Sequence, residues 1–176
     1  MNLAPGVPTW LAALLVLTLA AAAIEDLLRL RISNLTVLAV LLEGLAAIYL
    51  DGFSFGFWQN AVAMVCVLAV GTVAFSAGLF GGGDVKLLAA LALWVNLKGL
   101  VWLLATIFLA GGIVALVYIF GRLVRSATGG QTSKDRRIPY GIAICVGALA
   151  LFAMQRSEQQ SADRPLLPIK IARPAT

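Results

Sequence analysis

The chain has 176 residues, 61% hydrophobic and 12% charged, with a mean hydropathy of +0.98. A water-soluble domain of this length needs far more polar surface, so the composition points to a multi-pass membrane protein. The formal charge of +5 is scattered among apolar segments as a topology signal rather than a nucleic-acid surface, and the absence of histidine excludes His-based triads and His metal sites.

Six apolar segments follow in chain order, at about residues 8–24, 35–50, 57–79, 85–97, 100–120 and 139–154. All are expected to be helices, because lipid offers the backbone no hydrogen-bond partner. The fold expected is an all-α polytopic membrane bundle of about six transmembrane helices. The first segment also has the look of a signal-peptide core, but no Lys or Arg precedes it, so it reads as a retained span. The fourth segment is short: thirteen helical residues reach roughly 20 Å, against a hydrocarbon core of ~30 Å. Either its start is sunk below the surface, or it pairs tightly with the fifth segment through Lys98 and Gly99.

The connections carry the orientation. Arg29 and Arg31 lie between segments one and two, and Lys86 lies between three and four. Arg122, Arg125, Lys134, Arg136 and Arg137 lie between five and six. The alternate connections hold only Asp51 and Lys98. The positive-inside rule then puts the first set in the cytoplasm and the N-terminus outside. The loop at 126–137 reads as mobile. Residues 155–176 read as a polar, Pro-containing, poorly ordered tail after a six-helix transmembrane domain at 1–154. Cys66 and Cys145 sit in apolar runs and read as small core hydrophobes. Trp58, Trp94 and Trp102 fall near span ends and read as interfacial belt residues.

Ionisable groups inside spans are costly and so are functional candidates. Here they are Glu25, Asp26, Glu43, Asp84 and Lys86. Asp26 ends the first segment and Asp84 opens the fourth, both on the same predicted side. Two aspartates at one depth can meet across a bundle and share one proton. One carboxylate then activates water, while the protonated partner polarises a peptide carbonyl and helps the amine leave. That chemistry needs no metal and no cofactor. Gly81, Gly82 and Gly83 open conformations closed to other residues and let a substrate strand approach. Taken alone, the same stretch reads as a helix-to-helix turn with Asp84 as N-cap. Lys86 either biases the dyad or snorkels to the interface. Glu43 has no motif and is expected to serve the bundle.

The stretch "GGGDVKLLAALALW" (81–94) resembles the GxGD signature of type IV prepilin peptidases, carried by Gly81, Gly83 and Asp84, with Lys86 after it. "DLLRLRISN" (26–34) resembles that family's first catalytic segment, and "RIPYGIAICVG" (137–147) is similar to the opening of its last helix. The match is nearest its short, peptidase-only, CpaA/TadV-like form. The resemblance implies an intramembrane aspartic endopeptidase of the bacterial inner membrane with Asp26 and Asp84 as catalytic residues. It also implies prepilin or pseudopilin substrates of tight-adherence (Flp) pili, cut at the cytoplasmic face, with pilus or secretion assembly machinery as a further partner. No paired CxxC motif is present, so no methyl transfer is expected. Ser33 stands where the family often has Pro, which is expected to leave that loop freer. Glu25 and Asp26 point about 100° apart on a helix, so one of them faces Asp84, and the motif spacing selects Asp26. A substrate helix is expected against segments one, four and five. The competing readings are a presenilin-like protease, whose other motifs are missing, and a small transporter or assembly scaffold using the aspartates as a proton or cation site.

Overall fold

The computed structural model of the protein describes residues 2–3, 6–52, 56–127 and 140–162. These form six helices and, among the described residues, no strand: α1 (Thr9–Arg29), α2 (Asn34–Leu50), α3 (Phe57–Ser76), α4 (Gly82–Ala92), α5 (Leu97–Ala127) and α6 (Tyr140–Ala162). The all-α membrane bundle read from the sequence is the fold observed. Four of the helices, α1, α3, α5 and α6, are long and apolar enough to cross a membrane. α2 is apolar but has 17 residues, and α4 has 11, about 16 Å of helix, too short to cross.

α4 is the most enclosed element rather than a sixth span. It packs among α2, α3 and α6. Its Val85, Leu87 and Leu91 are buried and its Leu88 half-buried, and Leu93 and Trp94 after it are buried too. Past Lys86 helix α4 is apolar on every side, the pattern of a helix with neighbours all round. This corrects the reading of Trp94 as a belt residue. Its side chain is fully buried, its Nε1–H donates to the Val40 carbonyl at 3.3 Å, and its ring lies 6.1 Å from that of Phe152. Trp58 and Trp102 are exposed, as lipid-facing residues are. At the end of α4, the buried Asn60 of α3 donates to the Leu93 carbonyl at 2.9 Å, satisfying one of the carbonyls a helix end leaves open.

The inner face of α1 runs Leu11, Leu15, Leu19, Ala22 and Asp26, steps of three or four residues that keep one face toward the bundle. Asp26 is therefore the last member of a buried apolar stripe. α1 ends at Leu30, which takes the left-handed conformation (φ 51°) and closes the helix through its N–H to the Asp26 carbonyl. α2 starts at once, capped by Ser33, whose hydroxyl accepts from the Thr36 N–H at 3.1 Å. The α1 C-terminus thus lies beside the N-termini of α2, α4 and α6 at one end of the bundle. At the opposite end Arg156 of α6 donates to the Val7 carbonyl, and the Leu3 N–H donates to the Trp94 carbonyl. α6 continues to Ala162, past the boundary at 154 read from the sequence. The loop at 128–139, with Lys134, Asp135, Arg136 and Arg137, and the tail from 163 onward lie outside the described residues.

Candidate active site

Asp26 and Asp84 line one cavity of about 340 Å³ at the end of the bundle where α1, α4 and α6 meet, close enough to interact electrostatically. Leu30, Arg31, Ile32 and the three glycines complete its wall. Fifty-eight positions of chain separate the two aspartates, and the packing of α4 into the bundle closes that gap.

Each carboxylate is held by backbone N–H groups. The Ile142 N–H donates to Asp26 Oδ2 at 3.3 Å, and the Gly141 N–H also donates to this carboxylate. These are two of the free donors at the start of α6, so Asp26 sits on a helix N-terminus belonging to another element. The approach requires glycine at 141, since a Cβ there would lie 2.8 Å from Asp26 Cγ. Sequence reasoning singled out the segment around Gly141 but not this role.

Asp84 is the third residue of α4 and not its N-cap, which is Gly81. Its carboxylate reaches back to accept from the Gly81 N–H, the backward half of a capping box. The expectation of unusual backbone conformations at the glycines is not met. Gly81 has φ −73° and ψ 144°, and the left-handed residues are Leu30, Gly52 and Gly78. These glycines serve close approach instead. A Cβ on Gly81 would lie 2.7 Å from Asp84 Oδ2, and one on Gly83 would lie 3.2 Å from the Ile32 carbonyl. The GxGD stretch is thereby pressed against the α1–α2 connection.

The other charged candidates separate cleanly. Glu25 points away from the cavity: its Oε2 accepts from the Ser33 N–H and from the Thr36 hydroxyl, each at 2.9 Å. Ser33 therefore ties the loop down, which corrects the expectation of a freer one. A proline there would have no N–H to give Glu25. Lys86 is exposed and its Nζ donates to Asn34 Oδ1 at 3.0 Å, joining the two motif segments without touching either aspartate. Glu43 is buried at the α1–α2 seam with the Thr18 hydroxyl donating to Oε1 at 2.6 Å, and Oε2 has no protein partner among the described residues. It is absent from the cavity wall. Arg31, read as a topology signal, stands on that wall. Cys145 is buried, but Cys66 is exposed, which corrects its reading as a core residue. Among the described residues no three His, Cys, Asp or Glu side chains gather to hold a metal ion.

Two carboxylates from two different helices in one polar cavity suit acid–base work on a peptide bond. The sequence model of the type IV leader peptidase family matches residues 13–119, which include both aspartates. The chain belongs to the type IV leader peptidase family. It is accordingly a leader-peptidase-like protease built as a membrane helix bundle. The match ends within α5, so the Asp26 contact with α6 is seen only in the structure. Comparison with curated proteins and with solved structures finds no match.

Proposed function

We propose that the protein is an intramembrane aspartic endopeptidase that removes the short basic leader from type IV prepilins or pseudopilins, those of tight-adherence (Flp) pili in particular. It works at the cytoplasmic face of the bacterial inner membrane and without methyl transfer. The observation that carries this reading is the single cavity lined by both Asp26 and Asp84 in a chain of this family.

Asp26 takes two backbone N–H bonds at the start of α6, so it is the partner suited to hold negative charge. Asp84, with one such bond, is the partner suited to carry the shared proton. Asp26 removes a proton from water as the oxygen attacks the scissile carbonyl carbon. Asp84 gives its proton toward the carbonyl oxygen. The proton gained by Asp26 then passes to the departing amine as the carbon–nitrogen bond breaks, while one hydroxyl of the gem-diol returns its proton to Asp84 and the carboxylic acid product forms. Neither step leaves two carboxylates ionised together.

The test is co-expression with a candidate prepilin from the same genome, followed by gel mobility and by mass of the product. Wild type shortens the prepilin. Asp26→Asn and Asp84→Asn, at equal membrane levels, each lose the activity by about four orders of magnitude or to background, as removal of an essential acid–base group does. Cleavage surviving in either variant rejects the dyad.

A further inference from the structure

Beyond the polar cavity, the bundle has an apolar groove that also ends on Asp84. α3 packs on α4, and α5 packs on α6, but α3 and α5 touch each other little. The gap between them is a groove of about 280 Å³. Cys66, Val70 and Ala74 form one wall, Leu104 and Phe108 the other, and Leu88 of α4 the floor. Val70 and Phe108 are 70% and 66% exposed. On membrane-crossing helices such exposure faces lipid, so the groove opens sideways into the bilayer. We propose that this groove receives the apolar helical segment of the peptide substrate on the C-terminal side of the scissile bond.

The inference rests on the endopeptidase reading and assigns a side of the substrate to each cavity. Asp84 lines both spaces. A peptide that runs from one space into the other crosses at Asp84, so the lining selects a polar segment on the Asp26 side of the cut and an apolar one between α3 and α5. The polar leader then occupies the space bounded by Asp26, Arg31 and the glycines, and the apolar segment occupies the space between α3 and α5. Lipid is the rival occupant. An acyl chain fills apolar volume but brings no backbone to the carboxylate at the groove's end, whereas a peptide brings the reacting amide there. The walls at Cys66 and Ala74 are small, which lets a helix backbone come close. Helix α1, expected from the sequence to flank the substrate, lines the polar cavity and not this groove.

The geometry sets a register. Eight residues separate Ala74, near Asp84, from Cys66 at the groove's far end, about 12 Å along a helix. A helical occupant therefore brings a residue about eight positions past the cut beside Cys66.

Single cysteines placed in turn along the first dozen or so residues after the cut in a cleavable prepilin test this in membranes holding the full chain. Disulfide formation with the natural Cys66 is scored, with Cys66→Ala as control and leader removal read in the same samples. The expected result is cross-linking centred about eight residues past the cut, repeating with the helical period and absent in Cys66→Ala. Cleavage without cross-linking at any position overturns the groove assignment and leaves the endopeptidase reading standing. No cleavage of any prepilin by wild type overturns the endopeptidase reading, and the groove assignment with it. A second variant, Val70→Trp, fills the groove from a lipid-facing position. It should raise KM for the prepilin about tenfold with kcat little changed, the sign of lost ground-state binding. An unchanged KM in that variant also overturns the assignment.

Discussion

Asp26 and Asp84 are fixed by contacts that involve few side chains. Asp26 depends on Gly141, where any Cβ would strike the carboxyl group itself. Gly141→Ala is expected to push Asp26 off the α6 N-terminus without removing any ionisable group. The expected outcome is a fall in kcat of about ten- to a hundredfold with KM changed much less, since displacement of about 1 Å has effects of that size. Steady-state kinetics on a purified prepilin check it, and an equal fall in membrane level and activity would mark a folding defect instead. Asp26 was legible because motif spacing and the angle between neighbours on a helix favour it over Glu25. Gly141 was not, because glycine in an apolar helix carries no mark of what lies across from it. Ser33 was misread for the same reason: its N–H is used by Glu25, eight residues upstream across a turn. Ser33→Pro should remove that bond and the α2 cap together, for about 2 kcal/mol. Ser33→Ala should remove the cap alone, for about 1 kcal/mol. Thermal unfolding in detergent separates the two, and equal melting temperatures would mean that the N–H bond to Glu25 contributes nothing.

Among the elements, α4 departs furthest from what its composition suggests. Length rule and hydropathy treat it as a truncated span, and that shortness was visible. What could not be read is that the other helices enclose it. A helix apolar on all sides looks alike whether its neighbours are lipid or protein, and Trp94 near its end looks like a membrane anchor. The same ambiguity hides the inward stripe of α1, since exposed Trp10, Leu14, Leu17 and Leu28 are as apolar as buried Leu11, Leu15 and Leu19. Trp94→Ala tests the enclosure. It removes a fully buried ring, its contact with Phe152 and its bond to the Val40 carbonyl. The expected cost is about 3–5 kcal/mol, enough to deplete the folded protein in detergent. Trp102→Ala, at a position 66% exposed, is expected to change the melting temperature little. Similar losses from both would place Trp94 at the lipid boundary after all.

At the scale of the whole molecule, the helix ends sort into two groups with different charge. The end holding the cavity also carries Arg29, Arg31, Lys86 and Arg122. The opposite end carries two basic residues, Lys98 and Arg156, beside Asp51 and Glu158. Arg156 there bonds to the Val7 carbonyl, so the start of α1 and the later part of α6 share that end. Basic residues close to span ends are retained on the cytoplasmic side during insertion, and acidic ones contribute little. The cavity end is therefore expected inside and the chain's N-terminal end outside. A phosphatase that is active only outside the cytoplasm should be active when fused after Thr176 and inactive when fused after Arg125. A fluorescent protein that matures only in the cytoplasm should give the converse pattern. The opposite result would put the aspartates on the far side of the membrane from newly made prepilin leaders. It would remove the endopeptidase reading on grounds of access alone, even with the dyad intact. Reversing the sign of the loop charges sharpens the test. Arg29→Glu, Arg31→Glu and Lys86→Glu together should weaken the bias, and a mixed signal from both reporters should appear as cleavage falls.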